Sequence, residues 1–403
     1  MFTLQASNYL IPLITFPYLI RTLGLESYGL MTFAQNIVSY GEQLISYGFV
    51  LTAPKDIAHI HKNRTEMSRL FFSIFYSRLL LMVISAVILT VLCALIPRFE
   101  EMQTVIFIGF SMLLALALQI DWFFQGIQQM KNITFVNVIS RLLSLIFLFY
   151  WVKTPNDVGF AILSIALSQI IAYTFSWFLA FRYHGLQFVP PQYMAIKTQI
   201  QGGFQVFLSQ FLVRFYSSDV NITVLGLVSN NLAVGTYQFA YRIYLLISAV
   251  ATPVFGALYP YLANLFKENY PKFQRQVRQI AIFSVCGYLM AACILFFTAD
   301  WLVLIISNKV NEQVSFTLRL LSLSVIIVPF GPLFTQMCLL YEKKYWLLWV
   351  CFIGIVLNFT SLLFFYTYFE QNALSITHVL VSWSLFIVQF ISIQKLLRIN
   401  VTI

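Results

Sequence analysis

Charge is what this chain of 403 residues has least of. Only 9% of its residues are Asp, Glu, Lys or Arg, and its 14 acids are outnumbered by 24 lysines and arginines. A soluble domain carries about 25% charged residues, so a water-soluble globule is excluded. Cysteine and histidine are scarce as well. The five cysteines (Cys93, Cys286, Cys293, Cys338, Cys351) all fall in apolar segments with no Cys-x-x-Cys pair, as small buried thiols do. His59 and His61 share a basic loop, while His184 and His378 stand alone. That leaves no metal-ligand spacing, and there is no nucleotide loop or nucleophile motif, so no metal or other cofactor is expected. The apolar runs are unbroken rather than alternating, which excludes the strand pattern of a membrane barrel.

What is abundant is hydrophobic length. Some 60% of the residues are hydrophobic and the mean hydropathy is +0.83, which makes this an all-α integral membrane protein. Because about 20 apolar residues span the hydrocarbon core as a helix, twelve segments are expected: 2–20, 28–52, 70–96, 104–126, 135–152, 158–181, 203–228, 234–262, 280–306, 317–341, 345–368 and 373–396. The first begins almost at Met1, without the charged start and small-residue cleavage site of a signal peptide. Proline interrupts several segments, at Pro12 and Pro17, at Pro253 and Pro260, and in Pro329-Phe330-Gly331-Pro332.

The two halves echo each other. Leu23-Gly24-Leu25 followed by Gly29-xxx-Phe33-Ala34 is restated as Leu225-Gly226-Leu227 followed by Gly235-xxx-Phe239-Ala240. The two most basic loops, 53–69 and 263–279, each follow the second segment of their half. The expected organisation is a six-helix lobe over 1–181, a cytoplasmic linker over 182–202 containing Pro190-Pro191, and a second six-helix lobe over 203–403. An even number of helices per lobe makes these parallel repeats. One set of loops holds fifteen lysines and arginines; the alternate set holds four, Arg21, Arg98, Lys153 and Lys309. The positive-inside bias then places both termini in the cytoplasm. Loop orientation accounts for most of the net charge of +10, and no nucleic-acid partner is expected.

Charge inside the spans is the feature to explain. Five arginines lie in or near them (Arg78, Arg141, Arg214, Arg242, Arg319), against three acids, Glu42, Asp121 and Asp219. An arginine at mid-bilayer costs about 2.5–3.5 kcal/mol on the lenient insertion scale. At 1.5 Å per residue, Arg214 lies roughly 16 Å from the basic end of its segment and Arg242 roughly 12 Å from the opposite end of the next. Both are therefore central, as is Glu42. Arg78, Arg141 and Asp121 lie nearer the cytoplasmic face and Arg319 nearer the outer one, where snorkelling or an ion pair competes with a functional role. Five residues turn a helix far enough to point Arg214 and Asp219 about 140° apart, so they do not neutralise each other along the helix. Structural ion pairing across helices and the lining of a wet cavity both remain open. A cavity with an arginine surplus attracts anions, and the guanidinium fork suits carboxylate and phosphate oxygens.

At these residues the chain resembles a family. Asn8-Tyr9-Leu10-Ile11-Pro12-Leu13-Ile14-Thr15-Phe16-Pro17-Tyr18-Leu19, running into Arg21-x-Leu23-Gly24-xxx-Tyr28-Gly29-xxx-Phe33-Ala34-Gln35, is similar to the opening of Wzx-type polysaccharide flippases. Tyr47-Gly48-Phe49, Gln119-x-Asp121-Trp122-x-Phe124-Gln125-Gly126 and Leu258-Tyr259-Pro260-Tyr261-Leu262 resemble later motifs of the same family. Ser46 stands where the family often has an acid, and Ala53-Pro54-Lys55 where Ala-Thr-Arg is usual. The superfamily also contains lipid II flippases and multidrug and toxin exporters.

The resemblance implies a V-shaped, exporter-like pair of lobes in the bacterial inner membrane. It implies transfer of an undecaprenyl-pyrophosphate-linked oligosaccharide to the outer leaflet for O-antigen or capsular polysaccharide, with no enzymatic step. Arg214 and Arg242, with Arg141 and Arg21, would hold the pyrophosphate or acidic sugars, while Glu42, Asp121 or Asp219 would bind a coupling proton or cation. Further partners would be membrane lipids, a polysaccharide polymerase and a chain-length regulator. Two alternatives stay open. A drug or solute exporter of the same fold would favour cations, against the arginine surplus. A polymerase would need a larger outward loop than any present here.

Overall fold

A segment that must sit in lipid has to satisfy its own backbone, so it folds as a helix. The computed structural model describes residues 2–60, 63–216, 218–369 and 372–398, with the side chains at 2–10, 212–219 and 344 left aside. Among them the secondary structure is helical, with no strand. Two compact units, Met1–Arg214 and Phe215–Ile403, divide the chain.

The first unit contains α1 (Phe2–Ser46), α2 (Phe49–Ile60), α3 (Arg64–Leu95), α4 (Pro97–Glu100), α5 (Gln103–Leu118), α6 (Asp121–Gly126), α7 (Met130–Trp151), α8 (Val158–His184) and α9 (Tyr193–Tyr216), the last of which runs to the boundary. The second contains α10 (Ser218–Val228), α11 (Asn231–Ser248), α12 (Ala251–Glu268), α13 (Tyr270–Phe297), α14 (Ala299–Ser307), α15 (Glu312–Val325), α16 (Phe330–Leu340), α17 (Lys344–Phe369) and α18 (Ala373–Arg398). Nine stretches among the described residues are long and apolar enough to cross a membrane. At 1.5 Å per residue α1 would be about 68 Å long, more than twice a bilayer core. It is instead interrupted at Gly24, whose φ of 75° and ψ of 171° are open to glycine alone.

Several expected spans are broken helices, and the breaks recur in both units. The second expected span splits at Tyr47–Gly48 between α1 and α2; its counterpart splits at Ala249–Val250 between α11 and α12. The fourth splits at Gln119–Ile120 between α5 and α6; its counterpart splits over 326–329 between α15 and α16. α6 and α16 then close on the same turn. Gln128 and Glu342 both adopt positive φ, 60° and 58°. The following amides reach back five residues, Gln129 N to Phe124 O at 2.8 Å and Lys343 N to Cys338 O at 2.9 Å. This six-to-one bond is the Schellman arrangement that satisfies the last carbonyls of a helix. The helix continues through Pro12 and Pro17, whereas the Pro329 run does mark a break.

Each unit has its own core. In the first, Phe71 sits at the centre of an aromatic knot, with ring centroids 5.4 Å from Trp122, 5.3 Å from Phe123 and 5.0 Å from Trp177. The break between α1 and α2 is closed by α9. Tyr47 stacks on Phe207 at 4.7 Å, Gln43 donates to Gln210 at 3.3 Å, and Gly48 and Gly203 allow the backbones to approach. In the second, Phe255, Phe273, Phe330 and Phe334 pack with Met337 and Cys338, and the Gln336 amide donates to the Phe255 carbonyl. Large apolar side chains face outward along the spans, as lipid-facing surfaces do; Phe297 is 81% exposed.

A buried polar cluster at a broken helix

The break between α5 and α6 takes backbone carbonyls out of the helix ladder, and side chains from neighbouring helices bond them. Arg78 on α3 is 3% exposed, and its guanidinium donates to the carbonyl oxygens of Leu116 and Gln119. Trp177 on α8 donates from Nε1 to the Leu118 carbonyl at 2.8 Å. Three carbonyls around this turn, those of Leu116, Leu118 and Gln119, therefore have side-chain donors. Snorkelling, one reading of Arg78, does not occur: the cation is turned inward and works as a cap.

Beyond the break, Asp121 is the first residue of α6, where a carboxylate meets the positive end of the helix. Its Oδ2 accepts from Gln119 Nε2 at 2.8 Å and from Asn137 Nδ2 on α7 at 3.2 Å. Tyr173 on α8, 5% exposed, lies within electrostatic reach of Asp121, Arg78, Arg141 and Glu42. Five charged or phenolic side chains from α1, α3, α6, α7 and α8 thus converge in one region of the first unit. Glu42 and Arg141 are half-buried there. Such a cluster can hold an anion beside Arg141 and can exchange a proton or cation at its carboxylates.

Of the candidate residues, the structure brings Glu42, Asp121 and Arg141 together. Arg21 is exposed on α1, near the Gly24 break. Arg242 is exposed on α11 of the second unit. Arg214 and Asp219 belong to α9 and α10, but their side chains lie outside the described residues. Arg319 forms an ion pair with Asp300 of α14, so it adds nothing to the cationic surplus. Sequence reasoning missed the capping role of Arg78 and the parts played by Tyr173, Asn137 and Trp177. One signal was available: Asn137 and Arg141 are four residues apart, hence on one face of α7, as are Tyr173 and Trp177 on α8.

The second unit carries a different polar device. Asn221 on α10 and Asn358 on α17, each 3% exposed, exchange hydrogen bonds through their amides at 3.0 and 2.6 Å. Tyr366 donates to the Val228 carbonyl at 2.7 Å and secures the same two helices.

Comparison with known proteins places these features in context. A family model described as "Polysaccharide biosynthesis protein" matches residues 1–266. The chain is 29% identical over 265 residues to an Escherichia coli (strain K12) protein named "Putative O-antigen transporter", which covers 66% of this chain and 64% of that protein. It is 24% identical over 289 residues to a Shigella dysenteriae protein of the same name, covering 71% of this chain and 72% of that one. The chain thus matches just under two thirds of the E. coli relative's length. In fold it is similar to the lipid II flippase MurJ in an inward closed conformation, with a TM-score of 0.73 at 12% identity, covering 98% of this chain and 88% of that one. It is also similar to a multidrug resistance MATE family transporter of the MOP superfamily in an inward-facing conformation. There the TM-score is 0.67 at 15% identity, over 96% of this chain and 98% of that one.

Proposed function

Because the chain belongs to the polysaccharide biosynthesis protein family, we propose that it is a flippase for an undecaprenyl-pyrophosphate-linked oligosaccharide. It would carry repeat units from the inner to the outer leaflet of a bacterial inner membrane, for O-antigen or capsular polysaccharide. One observation carries the reading: a chain of this family keeps Arg141, Arg78, Asp121, Glu42 and Tyr173 together inside a membrane-embedded unit. Charge held at that depth is costly and marks a path for a polar or charged cargo.

Two lobes, 1–181 and 203–403 joined by a cytoplasmic linker over 182–202, would expose the site alternately to either side, with both termini in the cytoplasm. Arg141, Arg214, Arg242 and Arg21 would hold the pyrophosphate or acidic sugars, since guanidinium groups bind such oxygens in pairs. Glu42, Asp121 or Asp219 would take the proton or cation that resets the cycle. The lipid tail would stay in the bilayer. Membrane lipids, a polymerase and a chain-length regulator would be the neighbours of such a flippase.

The test is a chemical profile of the host after deletion of the gene. Complete lipid-linked repeat units should build up on the inner leaflet while surface polymer is lost. Normal polysaccharide with altered sensitivity to toxic cations would instead identify a drug exporter, the reading that the likeness in fold to a MATE transporter keeps in play. Exported single units that never polymerise would identify a polymerase.

A further inference from the structure

At the end of the first unit that carries few basic residues, the chain forms a cavity distinct from the arginine cluster. It measures about 410 Å³ and is half open, within the range of about 300–1,000 Å³ of small-molecule sites. The stretch after the Gly24 break contributes Ser27 and Leu30, the start of α5 contributes Thr104 and Ile108, and the entry to α8 contributes Asn156 and Phe160. No charged side chain lines it. The side chains of Ser27, Thr104 and Asn156 make no hydrogen bond with another described residue. Phe160 leaves half of its surface free, at 49% exposure.

The frame of this cavity is fixed before any ligand arrives. The Asp157 carboxylate accepts from the backbone amides of Lys153 at 2.9 Å and Thr154 at 2.7 Å and from the Thr154 hydroxyl at 3.0 Å, which holds the turn carrying Asn156. Gly159 lets α8 close on α5, since a Cβ there would lie 2.6 Å from Ile108 Cδ1.

The lining selects a class of ligand. An anion would find no cation, and an alkyl chain would leave two hydroxyls and an amide unused. A sugar ring offers an apolar C–H face to Phe160 and Leu30 and a rim of hydroxyls to groups that both donate and accept. We propose that this cavity is a subsite for an uncharged pyranose of the transported oligosaccharide, on the side where the cargo is delivered. It rests on the flippase reading and adds a division of labour: arginines for the anionic linkage, a neutral pocket for sugar.

The experiment uses the full chain in micelles of a zwitterionic detergent without a sugar headgroup. Saturation-transfer NMR is recorded with N-acetylglucosamine and methyl β-D-glucopyranoside as probes. Ring protons of at least one probe should receive saturation. Leu30→Trp, which fills the cavity, should abolish the signal. Asn156→Ala, in an exposed turn outside the packing, should weaken binding about three- to tenfold, the worth of one neutral hydrogen bond. Should Leu30→Trp fail to fold, Asn156→Ala and Phe160→Ala decide. The proposal is overturned if neither probe is saturated, if the variants leave the signal unchanged, or if only detergent acyl protons respond to them. A deletion strain that accumulates lipid-linked units alongside a silent NMR experiment would keep the flippase reading and remove this subsite alone.

Discussion

Replacing Arg78 by methionine keeps an unbranched apolar stem, shorter than arginine's, and removes the donors. Arg78 is 3% exposed and serves the carbonyls of Leu116 and Gln119. The Leu116 carbonyl keeps the Gln119 amide at 3.1 Å, so the Gln119 carbonyl is the one that loses its donor, at about 1–3 kcal/mol for a buried acceptor left unpaired. Measured hydrogen bonds between membrane helices are weaker, averaging about 0.6 kcal/mol with a maximum near 1.7, which favours the lower half of that range. A unit of about 200 residues loses roughly 2–4 °C in Tm per kcal/mol. Arg78→Met should therefore lower the melting temperature of the purified protein by about 2–8 °C, followed by intrinsic tryptophan fluorescence. Trp177 donates to the same break and should report its opening directly. Arg78→Lys, with a single ammonium to share between two carbonyls, should fall between. The counter-argument is that removing a buried cation also removes its desolvation cost. A melting temperature for Arg78→Met within about 1 °C of the parent would show that this cost dominates, and the capping account would be wrong.

Four further outcomes follow from the same geometry. A Cβ at Gly203 would meet Tyr47 Cδ1 at 2.8 Å, while Gly202 has nothing within 4 Å. Gly203→Ala should thus destabilise by about 1–3 kcal/mol and Gly202→Ala should be neutral or gain up to about 1 kcal/mol, both read by thermal unfolding. Asn221→Leu strands the buried amide of Asn358 and should cost about 1–3 kcal/mol; the double Leu variant should cost less than either single one, which a double-mutant cycle measures. The backbone amides of Lys153 and Thr154 and the Thr154 hydroxyl hold Asp157 below the usual carboxylate range. Its folded pKa is lower than its unfolded one, so the turn is fully braced above the ordinary value of about 3.9 and loosens as pH falls through the folded pKa. Hydrogen-exchange protection of the two amides should drop in that acid window, and Asp157→Asn should show no such step. Under the proposed flippase function, in which Arg242 would hold the anionic cargo, Arg242→Ala should abolish export of the polysaccharide while Arg242→Lys keeps part of it; equal, full activity of both would remove Arg242 from the proposed site.

Much of the fold was legible because membrane insertion is decided by local sums. Length and hydropathy of each run settle that it is a helix, and the Gly24 bend falls in the gap left between the first two expected spans. The breaks were harder to read. Pro329 announced one of them, but Pro12 and Pro17 announced none, and the interruption at Gln119–Ile120 contains no proline at all. The internal repeat was visible as an echo of a few glycines; its clearest backbone expression, the paired turns at Gln128 and Glu342, has no shared residue to read. For the site, sequence position picked out Glu42, Asp121 and Arg141 as charges within the spans but said nothing of their company, since helices far apart in the chain supply it.

The sequence by itself determined the solvent and the class: an all-helical membrane protein with an arginine surplus inside its spans, in a family whose motifs it displays. Those are properties of runs of residues, and burial in lipid penalises any other outcome. Only the tertiary structure decided what each charge does. Arg78 and Arg319 looked alike as intramembrane arginines, yet one caps carbonyls that exist as free acceptors only once α5 has broken, and the other pairs with Asp300. Which donor meets which acceptor depends on how helices pack side by side, and no local pattern encodes that.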